Sequence, residues 1–335
     1  MTRPISMGLS LLSRAEAAGF ERAQWAERHG YDSVWIPDGD GKMHALTLAG
    51  AVAATTQRVT IGTGIVPVYT HTPAVLAACC TAIGHLAPGR FILGVGSSSQ
   101  AMMEKWNGIP FSKPLTKVRE TVQVLRRMLA GERVEFQGET LSTSGFRLNP
   151  PPPQPVPIYL AALRPNMLEL AGEVGDGVIL NLVPLTMLPR MLEHVAAGAK
   201  RAGRTLADID IAIRFNAVVG DDRRAALDDV RAFVQRYFTA PVYAKYFEWC
   251  GFGAEARAFA DGFARGDRAA TAAALTDEVM GAMGLAGNEA GCQAQLRAFF
   301  AAGVTTAIIN PLCATVEATD RTFAAFAPKS FKATA

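Results

Sequence analysis

One stretch of sequence decides the fold: Val59-Thr60-Ile61-Gly62-Thr63-Gly64-Ile65-Val66-Pro67-Val68-Tyr69, which continues into Thr70-His71-Thr72-Pro73. Its β-branched residues predict a strand that is buried on both faces. The run then breaks into Gly64, Ile65, Val66 and Pro67, which indicates unusual backbone geometry at the far end of the strand. Strand ends of this kind form ligand sites in parallel α/β proteins. The stretch therefore predicts both a parallel sheet and a place for a cofactor.

Similar β-rich runs alternate with amphipathic stretches along the whole chain. The helix predicted at Ala15–His29, with an apolar stripe and Gly30 at its end, is typical of a crossover between two such strands. A doubly wound sheet would begin with a glycine-rich dinucleotide loop, which is absent, so the pattern favours a (β/α)8 barrel. The eight predicted strands are Ile5–Leu9, Ser33–Pro37, Val59–Val66, Phe91–Val95, Ile158–Ala161, Gly177–Leu182, Ile209–Ala217 and Thr305–Asn310.

Composition and charge indicate which kind of molecule the protein binds. The chain has 335 residues, a net charge of +3 and 19% charged residues, and its positive charges are scattered, which argues against nucleic acid and membrane surfaces. We expect a small-molecule partner. No signal peptide or long apolar run is present, which predicts a cytoplasmic location. The five cysteines have no metal-ligand spacing, so we expect buried free thiols and no metal site.

Two connections are longer than a barrel needs. We interpret the whole chain, 1–335, as one barrel domain with an insertion after strand four (about 97–157) and another after strand seven (about 219–303). The first contains a helix at Thr116–Leu129, a small hairpin near Arg133–Thr140 and a polyproline spacer. The second is rich in alanine and aromatic residues and predicts either core packing or a subunit interface. We expect a homodimer.

Residues just beyond the strands should line the active face of such a barrel. Asp38 follows strand two, Gly64 and Ile65 end strand three, and small residues follow the next two strands. Small residues allow a flat ligand and a phosphate to approach the backbone closely. The segments after strands four and five are Gly96-Ser97-Ser98-Ser99 and Ala161-Ala162-Leu163-Arg164.

Five ordered segments resemble the luciferase-like superfamily, and within it the deazaflavin-dependent (coenzyme F420) oxidoreductases. The resemblance is dense over about residues 5–220. The segments are Gly30-Tyr31-Asp32-Ser33-Val34-Trp35-Ile36-Pro37-Asp38, Arg58–Ile65, His85-Leu86-Ala87-Pro88-Gly89-Arg90-Phe91-Ile92-Leu93-Gly94-Val95-Gly96, Pro157–Ala162 and Leu170–Ile179.

The resemblance implies a flavin-like ring at the carboxyl end of the barrel, backed by a bulge after strand three. In the deazaflavin enzymes that bulge contains a non-proline cis peptide, which would fall at Gly64–Ile65. The resemblance also implies a cofactor phosphate on the backbone of Ala162, Leu163 and Arg164. The cofactor-binding residues expected are Asp38, Gly64, Ile65, Gly96, Ser97, Ser98, Ala161, Ala162, Leu163, Arg164 and Asn181.

The catalytic acid or base is less well defined. Several relatives carry a histidine directly after the acidic residue that follows strand two, and this chain has Gly39 there. The catalytic candidates are Asp38, His44 and Glu104. Glu104 would serve as an acid if a dry pocket raised its pKa, and His71 is a further imidazole candidate.

The resemblance predicts an oxidoreductase that transfers hydride between F420 and a small organic substrate. Two alternatives stay open at this point: an FMN-dependent monooxygenase of the same superfamily, and a barrel subunit without catalytic activity. The substrate pocket would be formed by the two insertions, whose sequences do not identify a substrate.

Overall fold

Eight parallel strands close into a barrel in the computed structural model, which describes residues 3–11, 19–38, 41 and 43–333. Their order is β1-β2-β3-β5-β8-β9-β10-β12, and β12 pairs again with β1. The (β/α)8 barrel is confirmed. The strands are β1 (Ser6–Ser10), β2 (Ser33–Ile36), β3 (Thr60–Thr63), β4 (Val66–Pro67), β5 (Phe91–Gly96), β6 (Val134–Gln137), β7 (Ser142–Phe146), β8 (Ile158–Ala161), β9 (Gly177–Asn181), β10 (Asp210–Val219), β11 (Leu285–Gly287) and β12 (Thr306–Pro311).

Helices surround the barrel and connect its strands. None of them, over the described residues, combines the length and the apolar character that a membrane crossing would need. They are α1 (Gly19–Arg28), α2 (Ala45–Thr55), α3 (Pro73–Leu86), α4 (Pro114–Leu129), α5 (Pro165–Val174), α6 (Leu188–Arg201), α7 (Arg223–Phe238), α8 (Pro241–Trp249), α9 (Gly253–Ala264), α10 (Arg268–Ala273), α11 (Asp277–Met283), α12 (Glu289–Ala301) and α13 (Val316–Phe326).

The strand predicted as Val59–Val66 is two strands. β3 ends at Thr63, and β4 resumes at Val66 beside β5. The other barrel strands lie within about two residues of their predicted limits. The helix predicted at Ala15–His29 is described from Gly19, because residues 12–18 lie outside the described part.

The first long connection contains a barrel helix. α4 packs against α3 and α5 in the outer ring, so the insertion predicted at 97–157 includes this regular element. The hairpin expected near Arg133–Thr140 is present, but its second strand, β7, lies further along the chain. In the second connection α7 packs on β10, and the additional elements are α8 to α11 and β11.

The middle of the barrel is filled by one layer of inward-facing side chains. Two of them, Trp35 and Tyr159, are large, and glycines on neighbouring strands make room for them. A Cβ on Gly62 would lie 2.3 Å from the Trp35 ring, and one on Gly177 would lie 2.7 Å from the Tyr159 ring. The layer consists of Trp35, Tyr159, Ile179, Ala212 and Ile308.

A buried carboxylate closes the amino-terminal end of the barrel. Asp210 Oδ2 accepts a hydrogen bond of 2.6 Å from the Tyr159 hydroxyl and one of 2.9 Å from Thr306 Oγ1. The hydroxyl of Thr305 also donates to Asp210 Oδ1. Burial and the Asp210 carboxylate both raise the pKa of Tyr159, so the phenol stays protonated as a donor. We call this cluster the floor network.

The cysteines are free thiols, as expected. Four of them are buried, and Cys79 is half-buried beside the buried Cys80. Burial raises the pKa of Cys292 to about 11, which keeps that thiol protonated and unreactive at neutral pH.

Candidate active site

The carboxyl ends of the barrel strands lie beyond the filled middle layer, and we call this end of the barrel the mouth. Ile65 packs on that layer at the end of β3. The peptide bond between Gly64 and Ile65 is cis, as the resemblance predicted. The Gly64 N–H donates to the Ile36 carbonyl at 2.8 Å, which ties the bulge to β2.

Beyond the last backbone pair between β3 and β5, the Thr63 side chain forms the hydrogen bonds that join the two strands. The ladder between β3 and β5 pairs Gly62 with Ile92 and goes no further. Thr63 Oγ1 then accepts from the Gly94 N–H and donates to the Gly94 carbonyl, each at 2.8 Å. A Cβ on Gly94 would lie 1.9 Å from the Thr63 carbonyl oxygen, so only glycine fits there. The bulge at Gly64–Ile65 is therefore anchored from both sides.

Three neighbouring strand ends leave a shallow cradle. A Cβ on Gly96 would lie 3.1 Å from Ile65 Cδ1 and 3.1 Å from Ala161 Cβ. Gly96 is itself buried, and its missing side chain leaves only backbone between Ile65 and Ala161. Backbone without a side chain lets a planar ring approach the strand ends closely.

The serine loop after β5 has an unusual backbone. Ser98 has a φ of 59°, in the left-handed region that non-glycine residues rarely occupy. Its hydroxyl contacts the Met102 sulfur at 3.3 Å, and Ser99 Oγ accepts from the Met102 N–H at 3.3 Å. Ser97 and Ser98 are half-buried, at the position expected for residues that touch a ligand.

Glu104 lies on a short π-helical segment, Met102–Trp106, that follows the serine loop. Its carboxylate accepts from Gln100 Nε2 at 3.0 Å and from the Phe111 N–H at 3.3 Å. The residue is exposed, and Trp106 beside it is 64% exposed. The described residues therefore do not form the dry pocket expected around Glu104, because none of their side chains covers the carboxylate.

The segment after β8 leads into the amino terminus of α5. The Ala162 N–H donates to the Ile179 carbonyl at 3.1 Å and so belongs to the barrel. A contact between this amide and a phosphate, as the resemblance implied, would break that hydrogen bond. Leu163 is half-buried, and Arg164, the residue that precedes α5, is exposed. A phosphate site here would rely on these two residues.

Asn181 belongs to a polar cluster that sequence reasoning missed. Its Oδ1 accepts from Asn216 Nδ2 at 3.3 Å, Asn216 Oδ1 accepts from Asn310 Nδ2 at 2.9 Å, and Asn310 Oδ1 accepts from Arg214 at 2.8 Å. We call these four residues the mouth network. Arg214 Nε is buried and has no hydrogen-bond partner among the described residues. Asp176, which directly precedes β9, pairs with Arg126 at 2.9 Å and accepts from the Ile158 N–H, where β8 begins.

Strand β9 ends in a second unusual backbone conformation. Leu182 is buried and has a φ of 55°. The Tyr246 hydroxyl, on α8, donates to the Leu182 carbonyl at 2.8 Å. Tyr246 is fully buried, so this part of the aromatic cluster belongs to the core and connects the second insertion to the mouth.

Asp38, His44 and His71 lie together at the mouth. Asp38 Oδ1 accepts from the Ala45 N–H at 3.2 Å, at the start of α2. His44 precedes α2, and its Nε2 lies 2.8 Å from His71 Nε2. Burial lowers the pKa of His71, and the nearby Asp38 carboxylate opposes this shift. Gly39, where relatives have histidine, lies outside the described residues.

Comparison with known proteins adds a family to this geometry. The family model for luciferase-like monooxygenases matches residues 11–306. A 5,10-methylenetetrahydromethanopterin reductase from Methanolobus tindarius is 32% identical over 285 residues, which cover 84% of this chain and 86% of that protein. An F420-dependent glucose-6-phosphate dehydrogenase from Rhodococcus erythropolis is 36% identical over 227 residues, 63% of this chain and 67% of that protein.

Solved structures show the same fold. The coenzyme F420-dependent tetrahydromethanopterin reductase from Methanopyrus kandleri superposes with a TM-score of 0.83 at 24% identity, covering 98% of this chain and 100% of that one. An F420-dependent secondary alcohol dehydrogenase superposes with a TM-score of 0.78 at 19% identity, over 98% and 100% of the two chains. The chain belongs to the luciferase-like monooxygenase family and, within it, to the branch whose members are named F420-dependent reductases and dehydrogenases.

Proposed function

We propose that this protein is an F420-dependent oxidoreductase that transfers a hydride between the deazaflavin and a small organic substrate. The observation that carries the proposal is the cradle at Ile65, Gly96 and Ala161, above the apolar middle layer of the barrel. A Cβ at Gly96 would occupy the space that a flat ring needs. The names of the relatives favour F420 over FMN.

In this proposal the cradle residues hold the ring and the neighbouring loops hold the rest of the cofactor. Gly64 and Ile65 support one face of the ring, and Ser97 and Ser98 contact its edge. Leu163 and Arg164 bind the phosphate-bearing tail through an amide and a guanidinium. Bound F420 supplies a ring carbon that gives or accepts a hydride.

Asn181 is the proposed contact on the opposite side of the mouth. Its side chain is held in place by Asn216 at 3.3 Å, so its orientation is set before a ligand arrives. Because the amide is already oriented, little conformational entropy is lost when it hydrogen-bonds to the polar edge of a ring.

Residues near the ring must handle the proton that accompanies hydride transfer. The proposed groups are Asp38 and His44, with exposed Glu104 on the substrate side. Asp38 is oriented by the Ala45 N–H at 3.2 Å, so its carboxylate has a fixed position at the mouth. Its role is to accept or hold a hydrogen bond from the ring or the substrate.

The test is a fluorescence titration of the purified protein with F420 and, separately, with FMN. We expect saturable binding of F420 and weaker binding of FMN. Gly96→Val fills the cradle and should raise the Kd for F420 by at least about tenfold, because its side chain meets Ile65 and Ala161. Gly50→Ala, on α2 with nothing within 4 Å of the added Cβ, is the matched control.

Each other result assigns a different function. Tight FMN binding with no F420 binding would favour a monooxygenase. Binding of neither ligand would favour a barrel subunit without catalysis and would reject the proposal.

We also propose a cytoplasmic homodimer. Part of the second insertion supports it, since Phe263 on α9 is 61% exposed and Val242 on α8 is 37% exposed. Apolar side chains of this size are favourable at subunit contacts. Light scattering coupled to size exclusion would measure the mass, and a monomer at micromolar concentration would contradict the dimer.

A further inference from the structure

Three potential metal ligands converge at the mouth from two connections of the chain. Asp38 follows β2, His44 precedes α2, and His71 lies between β4 and α3. One ligand atom from each, a carboxylate oxygen or an imidazole nitrogen, lies within 4.8 Å of the other two. Sequence spacing does not indicate this cluster, because His44 and His71 are 27 residues apart.

Both imidazoles are oriented by threonine hydroxyls. His44 Nδ1 lies 2.9 Å from Thr47 Oγ1, and His71 Nδ1 lies 2.9 Å from Thr70 Oγ1. The two Nε2 atoms consequently point at each other, 2.8 Å apart. Metal-binding histidines are usually held in this way, with one ring nitrogen on an outer hydrogen-bond partner and the other on the metal.

The carboxylate is oriented in the same manner. Asp38 Oδ1 accepts from the Ala45 N–H at 3.2 Å. All three side chains therefore have an outer partner that fixes their direction, as expected of a preformed ligand set.

From this geometry we propose that Asp38, His44 and His71 form a binding site for one divalent transition-metal ion of the zinc class. Two imidazoles and one carboxylate favour Zn²⁺ or Co²⁺ over Mg²⁺ and Ca²⁺, which prefer oxygen ligands. Ligand atoms around a tetrahedral zinc lie about 3.3 Å apart, given bonds of about 2.0–2.1 Å. The histidine nitrogens need to separate by about half an ångström, and Asp38 has to approach them.

Metal binding requires one change of tautomer. In the metal-free arrangement the Thr47 N–H donates to His44 Nδ1 at 3.4 Å, so the His44 proton is on Nε2 and points at His71 Nε2. In the metal-bound form that proton moves to His44 Nδ1 and is donated to Thr47 Oγ1, which is already at hydrogen-bond distance. His71 keeps its Nδ1–H on Thr70 Oγ1, whose own proton goes to the Pro67 carbonyl at 3.2 Å.

Three protein ligands leave at least one coordination position for water or for an oxygen atom of a small ligand. The site shares Asp38 and His44 with the groups proposed above to handle the proton, but its test measures metal binding and not binding of F420. Failure of the metal experiment would therefore leave the proposed binding of F420 intact, and failure of the F420 titration would leave the metal site intact.

The experiment is a Co²⁺ titration of chelator-treated, dialysed full-length protein, followed by the visible absorption of the ion and by calorimetry. We expect one equivalent of Co²⁺ to bind with a Kd in the micromolar range or lower, and one equivalent of Zn²⁺ to displace it. His44→Ala and His71→Ala should each weaken binding by at least about a hundredfold, and Asp38→Asn by at least about tenfold.

His85→Ala is the matched control, since His85 is exposed on α3 and is not part of the cluster. It should bind Co²⁺ like the wild type. Circular dichroism and thermal unfolding establish that each variant is folded. The titration is run in a buffer of physiological ionic strength, about 0.15 M. If the wild-type protein shows no stoichiometric binding at about 100 µM Co²⁺, the proposal is overturned. Equal binding by folded His44→Ala and His71→Ala would overturn it as well.

Discussion

The barrel holds two buried polar clusters that differ in how completely their hydrogen bonds are satisfied. In the floor network, Asp210 accepts from Tyr159, Thr305 and Thr306. In the mouth network, Arg214 Nε is buried without a partner among the described residues. A fully bonded cluster rigidifies a core, whereas a buried donor without an acceptor costs free energy. The difference agrees with our proposal that the carboxyl end of this barrel binds the cofactor, whereas the amino-terminal end supports the fold.

The largest effect should come from breaking the floor network. Asp210→Ala leaves three hydroxyl donors without their acceptor, and we expect the free energy of unfolding to fall by about 4 kcal/mol. Urea denaturation followed by circular dichroism would measure the loss. Asp221→Ala, which removes an exposed carboxylate paired with Arg321, is the control and should change stability by less than about 1 kcal/mol. If both variants lost a similar, small amount of unfolding free energy, the floor network would not stabilise the fold more than an exposed ion pair does, and the contrast with the mouth network would fail.

A second large effect is expected where the bulge is anchored. Gly94→Ala places a Cβ 1.9 Å from the Thr63 carbonyl oxygen and should lower the free energy of unfolding by about 3 kcal/mol. Gly50→Ala tests glycine replacement without a clash and should be neutral or stabilising by up to about 1 kcal/mol, because it removes a glycine from the interior of α2. Thermal unfolding compares the two variants, and equal melting temperatures would show that the close packing is relaxed at little cost.

The amino-terminal side of the barrel should be sensitive to acid. Burial tends to raise the pKa of Glu27, but the backbone N–H groups of Arg58, Val59 and Gln57 outweigh it and lower that pKa. Because the folded value lies below the unfolded one, the stabilisation is complete above about pH 4.5 and is lost as pH falls through the folded pKa.

Glu27→Gln should therefore reduce the free energy of unfolding by about 1–2 kcal/mol at pH 7 and flatten its decline below about pH 4.5. The test is to measure urea unfolding midpoints between about pH 3 and pH 7, a range that spans the titration of carboxylates. Parallel pH profiles for Glu27→Gln and wild type would contradict the assignment.

The smallest effect on stability, and a larger one on binding, is expected at the mouth. Asn181→Ala removes the partly buried hydrogen bond from Asn216 and the side-chain hydrogen bond with Tyr243, so we expect a stability loss of about 1 kcal/mol. The Kd for F420 should rise severalfold in the fluorescence titration. A variant with normal F420 affinity would place Asn181 outside the cofactor site.

Strand order and the position of the mouth could be predicted from the sequence because they depend on local patterns. Alternation of β-rich and amphipathic runs identifies the barrel, and β8 has the predicted limits, Ile158–Ala161. The sequence predicts one strand over Val59–Val66 with unusual geometry at its far end, because most of these residues favour β structure. Its interruption depends on the Thr63 side chain, which bonds to Gly94 on another strand.

The polar clusters could not be predicted in the same way. Asn216 and Asn310 meet across 94 positions of sequence, and each stands in an apolar strand without a motif. The sequence gives no sign that His44 has a histidine partner, because His71 comes close to it only in the folded barrel. The asparagine pair depends on the register of β10 against β12, and the histidine pair depends on how two connections meet at the mouth. Periodicity determines neither.

The fit between Trp35 and its glycines has a consequence for how this protein can change over evolutionary time. A Cβ on Gly62 would lie 2.3 Å from the Trp35 ring, so position 62 cannot gain a side chain while the indole is present. Gly8 is confined by Ser33 as well, because a Cβ there would lie 2.5 Å from Ser33 Oγ and 2.9 Å from Trp35 Cδ1. In diverging lineages we therefore expect positions 35 and 62 to be replaced jointly, with a smaller residue at 35 accompanying a larger one at 62, whereas a larger residue at position 8 also requires a change at position 33.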